Sequence, residues 1–371
     1  MSHFSLIVAL PPDSNVQEEL ENRLAPYDEN VEAEPYRDYE DCTAEDWWWY
    51  RSLRKDAELV ANNDHSGILP YDPDQTFSSS ASSNKTPEQQ WADIVRDAEV
   101  YNSLPNPVTW ETLVAAHNRY YCEGEPYTGS SLYFYEEETD RAYQMSTYNK
   151  ESKWDYWRIG GRWGRYFPLK KSGLFMSPRV ITEALSWEWR DAPLEERPPV
   201  DWVEGGPKGF LDLEKLRDAK VAEAAKDYDE FWEFAKDYPK AQSWMELADT
   251  TDPIKDPAER RAAIDRQREV YRAQPIVAAM NQHEKYRRFW DSPLDTYKGD
   301  RTEYLEKVRR DAVPGYALLT LDCEWAAAGE MGWFGMGSDT ADSQKTYKEF
   351  ANEYIDELAD DVILVVLDLH I

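Results

Sequence analysis

The stretch from Trp154 to Phe167 concentrates the side chains that could bind a ligand. Its sequence, WDYWRIGGRWGRYF, places tryptophans, tyrosines and arginines around a pair of glycines. Guanidinium groups donate paired hydrogen bonds to phosphate or carboxylate, and indole rings stack on flat groups. Glycine lets the backbone adopt positive φ or approach another group closely. The pattern indicates a pocket for a planar or anionic group, but it equally fits an aromatic corner of the core. The candidate ligand-binding residues in this stretch are Trp154, Arg158, Gly160, Gly161, Arg162 and Trp163.

A second segment rich in glycine and tryptophan covers residues 329–337 and adds Glu330 and Trp333 to the candidates. Both segments follow predicted strands, and open α/β sheets collect their ligands at strand ends. We therefore expect Arg162, Trp163 and Trp333 to meet in one cleft beside the glycine pair. Such a cleft suits a nucleotide-like ligand, because Arg pairs with phosphate and Trp stacks on a base.

Few residues stand out as candidates for acid–base chemistry. His370 follows Asp368 by two positions, so the two side chains share a face if the strand continues. Histidine is the usual acid or base at neutral pH. Asp322 and Glu324 could form a carboxylate pair or bind Mg²⁺, although acidic residues are too frequent here for their proximity to discriminate. The sequence shows no nucleophile beside a base, no metal-ligand spacing and no phosphate-binding loop. We therefore assign no catalytic residue, keep His370 and Asp322 as catalytic candidates, and expect no metal or cofactor.

Apolar runs and helical periodicity predict the elements around these segments. Phe4–Leu10 and Val362–Leu367 predict buried strands, and we expect both in one sheet. Amphipathic helices are predicted over Val16–Leu24 and Lys345–Leu358. A hairpin over 132–145 leads toward the glycine pair. The pattern predicts an α+β fold with a mixed sheet, built from ferredoxin-like βα and βαβ units of both termini, and large helical insertions.

Composition divides the chain into three predicted regions. These are an α/β core of residues 1–27, 128–175 and 313–371, an acidic helical insertion of residues 28–127, and a helical region of residues 176–312. In the helical region, helices from Leu213 to about Tyr238 and from Pro257 to Trp290 predict a two-helix hairpin packed on the sheet.

Three consecutive tryptophans, Trp47, Trp48 and Trp49, form a second candidate contact site. Thr43 is predicted to cap a helix that continues to Asn62. Successive residues on a helix point about 100° apart, so the three rings cannot face the same way. Either the helix is covered on all sides or one tryptophan lies at a surface.

The chain is strongly acidic, with 73 acidic and 42 basic residues and a net charge of −31. This charge repels nucleic acid and anionic membranes unless a local basic patch overrides the field. It is compatible with a basic protein partner, with mimicry of a polyanion, with salt adaptation or with plain solubility. We expect no direct binding to nucleic acid.

The cysteines and the first residues indicate the compartment. Cys42, Cys122 and Cys323 are widely spaced and form no CxxC pair, which argues against a disulfide framework or structural zinc. The apolar run Leu6–Leu10 is too short to span a membrane and lacks the basic start of a signal peptide. We expect a cytoplasmic protein that contacts no membrane.

Three motifs taken together resemble a family of uncharacterised proteins from bacteriophages and actinobacteria. They are WDYWRIGGRW at residues 154–163, GEMGW at 329–333 and the terminal DLHI. The resemblance covers scattered motifs in roughly the second half of the chain. It implies a phage or prophage gene, and hence the cytoplasm of a host cell, more than it implies a chemistry.

Two classes of function follow from the sequence. The first is a phage accessory or counter-defence binding protein, which engages a host protein through its acidic surface or sequesters a nucleotide-like ligand in the Trp/Arg/Gly cleft. The second is an enzyme acting on a nucleotide or nucleic acid, with His370, Asp322 and Arg162 in its site. The sequence favours the binding protein, because it shows no nucleophile, metal set or phosphate loop.

Overall fold

A computed structural model describes residues 3–66, 68, 85–122, 132–177, 179–182, 200–287, 292–329 and 338–371. The chain forms two compact units, one of residues 1–30 with 151–371 and one of residues 31–150. The strands are β1 (His3–Leu10), β2 (Tyr36–Tyr39), β3 (Tyr133–Glu136), β4 (Arg141–Ser146), β5 (Tyr156–Ile159), β6 (Phe167–Pro168), β7 (Trp202–Val203), β8 (Gly205–Pro207), β9 (Ala317–Leu319), β10 (Trp325–Ala327) and β11 (Ile363–His370). The α-helices are α1 (Val16–Leu24), α2 (Trp48–Ala61), α3 (Pro87–Ser103), α4 (Trp110–Cys122), α5 (Leu213–Ala235), α6 (Trp244–Asp249), α7 (Pro257–Arg272), α8 (Pro275–Gln282), α9 (Pro293–Thr296), α10 (Arg301–Asp311) and α11 (Ala341–Glu357).

The central sheet of the first unit is organised around β1 and β11. These strands pair antiparallel over all eight residues, from His3 opposite His370 to Leu10 opposite Ile363. The strand order is β10-β9-β1-β11-β5, and β8 also pairs with β11. β9 lies parallel to β1, whereas the other neighbours are antiparallel. The predicted α+β class with a mixed sheet, and the pairing of the first and last strands, are confirmed.

Both faces of this sheet are covered, which explains why β1 and β11 are apolar almost throughout. Ile7 and Val366 belong to the core on the face that packs against α11. Leu6 and Leu367 belong to the core on the opposite face, together with residues of α1. Asp368 is an exception, because it is a buried carboxylate within this apolar strand.

The region from residue 213 to 311 contains more helices than predicted. Asp212 caps α5, as its Oδ1 accepts the Lys215 N–H at 3.0 Å. The single helix predicted from Pro257 to Trp290 is wrong, because α7 ends at Arg272 and α8 begins at Pro275. Proline lacks the N–H that would continue the helix and clashes with the preceding turn. Within the described residues, no helix combines the length and apolar character needed to cross a membrane.

The second unit, residues 31–150, has its own aromatic core. It contains a three-stranded sheet of order β2-β4-β3 and buries Trp47, Trp49 and Trp110. The predicted hairpin forms, but it belongs to this unit and not to the α/β core, because β4 pairs with β2. The helix predicted from Thr43 is also divided. Thr43 caps a 3₁₀ turn, and α2 begins only at Trp48.

Candidate functional site

The Gly160-Gly161 turn follows β5 at the edge of the central sheet. Gly160 and Gly161 have φ of +68° and +53°, conformations that glycine adopts without strain. The Gly160 N–H donates to the Val366 carbonyl at 2.9 Å, which keeps the turn attached to β11. A Cβ on Gly161 would lie 2.3 Å from Asp368 Oδ2. Gly161 is therefore required by the close approach of the turn to β11, and Gly160 by its approach to Glu204, whose Cγ would lie 2.5 Å from an added Cβ.

Two buried carboxylates accept hydrogen bonds from the backbone of this turn. Asp368 is 4% exposed and Glu204 is 1% exposed. Asp368 accepts the Arg162 N–H at 3.0 Å and also hydrogen-bonds His3 Nδ1 at 2.8 Å, while Glu204 accepts the Arg165 N–H. A glycine-rich turn can offer such backbone N–H groups to an external anion, but here the protein's own carboxylates use them. Their negative charge also opposes an anionic ligand at the backbone of the turn.

The side chains predicted to form one pocket point to different places. Trp154 is buried in the core of the Leu6 face, whereas Trp163 packs partly buried against the core of the opposite face. Arg158 on β5 and Arg162 in the turn are both exposed. The structure therefore separates Trp154 from Trp163 by the sheet and directs Trp163 toward a cavity.

This cavity has a volume of about 1040 Å³ and lies beside the Trp163 turn, α10 and α11. Small-molecule sites usually have volumes of roughly 300–1,000 Å³. Its aromatic lining consists of Trp163, Tyr166, Tyr304, Tyr316 and Tyr347. Four lysines, Lys220, Lys298, Lys307 and Lys348, and four carboxylates, Asp295, Glu303, Asp311 and Asp339, also line it. The first three lysines pair with Glu223, Glu246 and Asp311, respectively.

Lys348 differs from the other lysines because it has no carboxylate within 4 Å among the described residues. Its Nζ donates to the carbonyls of Pro314 and Gly315 at 2.8 and 2.7 Å. An ammonium group has three donors, so one remains for a ligand. Burial lowers the pKa of Lys348 to about 8, with Lys307 also contributing and Asp311 opposing. The side chain is therefore still protonated at neutral pH.

The catalytic candidates do not share a site. Asp322 is exposed in the turn between β9 and β10, near the end of the sheet where β11 begins. His370 lies at the opposite end of β11, opposite His3. Leu319 and His370 are five strand positions apart, or roughly 17 Å at a rise of about 3.3 Å per residue.

His370 instead forms one of two adjacent His–Asp pairs. Its Nδ1 lies 2.5 Å from Asp155 Oδ1, and His3 Nδ1 lies 2.8 Å from Asp368 Oδ1. The two imidazole rings meet edge to face with centroids 4.9 Å apart. His3 and Asp155 were missed by the sequence analysis, because only the strand register brings them beside His370 and Asp368. In the described part of the chain, no group of His, Cys, Asp and Glu side chains has the arrangement of a metal site.

Glu330 and Trp333 lie outside the described residues, so the structure places neither. The strand before them, β10, is at the opposite edge of the sheet from β5. Ala328 nevertheless lines the same cavity as Trp163. The start of the second predicted loop is thus close to the cavity, although the two loops leave different edges of the sheet.

Comparisons with known protein families, with curated proteins and with solved structures give no match to this chain. The chemistry of the cavity therefore carries the functional argument.

Proposed function

We propose that the protein is a binding protein that sequesters a nucleotide-like ligand, a planar ring carrying an anionic group, in the cavity lined by Trp163 and Lys348. One observation supports the proposal above all others. A cavity of about 1040 Å³ combines an indole ring with an ammonium group that has no carboxylate partner within 4 Å in the described residues. The anionic group pairs with Lys348, and the ring packs on the aromatic lining.

The energies of these contacts are sufficient for a small ligand. A hydrogen bond to a charged group contributes about 1.5–3 kcal/mol, and aromatic packing adds about 0.5–1.5 kcal/mol beyond area burial. The proposal keeps the tryptophan of the predicted Trp/Arg/Gly cleft and replaces its arginines by a lysine of α11. The glycines act indirectly, since they set the path of the turn that carries Trp163.

Calorimetric titration with ATP, AMP, adenosine and inorganic phosphate tests this proposal. Lys348→Met, which keeps most of the aliphatic stem, should weaken ATP binding by about tenfold to a hundredfold, as expected for one charge-assisted hydrogen bond. Arg162→Ala is the matched control, because it also removes a cation near Trp163 but its exposed side chain does not line the cavity.

The outcomes are distinct. If Arg162→Ala abolishes binding and Lys348→Met does not, Arg162 and not Lys348 binds the anionic group, as the sequence alone predicted. If none of the four compounds binds the folded protein, the proposal is wrong. Incubation with labelled ATP and Mg²⁺ separates the binder, which leaves the nucleotide intact, from the alternative of an enzyme.

The acidic charge supports a second candidate, a counter-defence factor of phage origin that engages a basic host protein. The observation behind it is the net charge of −31, which would accelerate association with a positively charged surface. Co-purification from a host lysate at low salt, reversed at high salt, is its test.

A further inference from the structure

The exposed member of the tryptophan triplet is Trp48, at the first position of α2. Its neighbours Trp47 and Trp49 are 0% and 2% exposed, because they pack in the aromatic core around His117. Trp48 is 55% exposed. The sequence left open whether one ring of the triplet lies at a surface, and the structure shows that Trp48 does.

Trp48 shares its face of the helix with basic side chains. Arg51 and Lys55 follow it at positions i+3 and i+7, which places all three on one side of α2. Arg54 lies beside them, and together these residues line a shallow hollow of about 440 Å³. Glu58, one turn beyond, is the acidic residue at its far end. The first turn of α2 carries no acidic side chain, although Glu45 and Asp46 lie in the 3₁₀ turn just before it.

These cations are unusual because this unit offers many carboxylates. Five other basic residues of residues 31–150 lie within 4 Å of a carboxylate, namely Arg37, Lys85, Arg96, Arg141 and Lys150. Arg51, Arg54 and Lys55 have no such partner in the described part of the unit. Three neighbouring cations therefore keep their charge available to a partner in an otherwise acidic environment.

We propose that the face of α2 formed by Trp48, Arg51, Arg54 and Lys55 binds single-stranded nucleic acid. A base stacks on the exposed indole, and the basic side chains pair with backbone phosphates, the combination that single-strand binders use. Trp48 and Lys55 are seven residues apart, or roughly 10 Å along the helix, which limits the footprint to a few nucleotides. A duplex would bring many phosphates against the acidic surface, whereas a flexible strand can avoid it. This patch is the local exception to the repulsion expected from the net charge.

Fluorescence anisotropy with a labelled twelve-nucleotide oligothymidylate tests the proposal in the whole 371-residue chain. Three phosphate contacts predict a slope of about −2 for log K against log salt, at about −0.7 per contact for a single strand. Trp48→Ala should weaken binding by about fivefold to a hundredfold, the loss expected for one stacked base. The double variant Arg51→Glu, Lys55→Glu should bring binding below detection. All of these side chains are exposed, so circular dichroism should show an unchanged fold.

Arg119 provides the matched control. It is an exposed cation on α4 in the same unit, with no carboxylate within 4 Å in the described residues, and it does not line the hollow. Arg119→Glu should leave binding unchanged, while the single variant Arg51→Glu, with the same change in net charge, should weaken it several-fold. Equal effects of the two would show that only total charge matters and would overturn the site.

Two further results would also overturn it. One is no binding of the oligonucleotide at 50 mM salt. The other is competition by polyglutamate as effective as by unlabelled oligonucleotide, with Trp48→Ala having no effect. The latter result would assign the patch to an acidic protein partner.

Discussion

Gly161→Ala tests whether the approach of the turn to Asp368 stabilises the fold. At φ +53°, an alanine costs about 1–2 kcal/mol from the left-handed backbone alone. Its Cβ would also lie 2.3 Å from Asp368 Oδ2 and 2.4 Å from Asp368 Cβ, so the turn must move away. That movement breaks the charge-assisted bond from the Arg162 N–H to Asp368, which contributes about 1.5–3 kcal/mol. We expect a loss of roughly 3–5 kcal/mol in the free energy of unfolding.

Gly299→Ala separates backbone strain from the contact with Asp368. Gly299 also has positive φ, at +91°, but the nearest atom to an added Cβ is Glu303 Oε2 at 4.0 Å. This variant should therefore lose only about 1–2 kcal/mol. Urea unfolding followed by circular dichroism measures both, and amide hydrogen exchange over residues 160–166 reports on the turn itself. Equal losses in the two variants would refute the argument that Asp368 holds the turn.

Three further predictions follow from other described residues. Arg217→Met should lower the free energy of unfolding, measured with urea, by about 2–3 kcal/mol. Arg217 is 8% exposed, and its Nη2 donates to Asn352 Oδ1 at 2.9 Å and to both carboxylate oxygens of Asp356 at 3.0 and 2.9 Å. The loss should be smaller than the 3–5 kcal/mol of a fully buried pair, because Asp356 is half-exposed, and a loss under about 0.5 kcal/mol would contradict this reasoning. Burial lowers the pKa of His117, so the stability that its neutral form provides is present above the unfolded pKa of about 6.5 and is lost as pH falls below it, by up to about 1.4 kcal/mol per pH unit. Measuring the free energy of unfolding against pH for the unaltered protein and for His117→Phe separates this effect from that of Asp56, whose pKa burial raises to about 6. Parallel curves for the unaltered protein and the variant would disprove the prediction. Association with a basic protein partner should slow steeply between 50 and 500 mM salt if the net charge drives it, and salt-independent rates would remove electrostatic recruitment.

The elements that follow directly from local chemistry could be predicted. β1 and β11 are apolar over nearly their whole length, and such segments are stable only when covered on both faces. Asp212 and Thr86 precede helices that they cap through side-chain bonds to Lys215 and Gln89. Pro275 is an equally clear signal of a helix break. The boundary was nevertheless missed, because the amphipathic pattern continues on both sides of this proline.

Apart from Trp163, the site could not be predicted, because it depends on register and on distant packing. His3 lies beside Asp368 only in the observed pairing of β1 with β11, and a shift of one residue would place Asp368 on the other face of the sheet. Lys348 carries no local signal, since it is one of several lysines on amphipathic helices. Its distinguishing partners, the carbonyls of Pro314 and Gly315, come from a turn more than thirty residues away.

Ionic strength should distinguish the two proposed sites, because their cations differ in burial. Lys348 is half-buried within a cavity, where salt screens its charge weakly, whereas Arg51 and Lys55 are exposed. Between 50 and 200 mM salt, a slope of about −2 predicts that oligonucleotide binding at α2 weakens by roughly fifteen- to twentyfold. ATP binding that Lys348→Met disrupts should change much less over the same range. The two titrations, performed on one preparation, thus test both assignments together. If ATP binding and oligonucleotide binding show the same salt dependence, and if Arg51→Glu abolishes both, then the patch on α2 binds both ligands and the cavity binds neither.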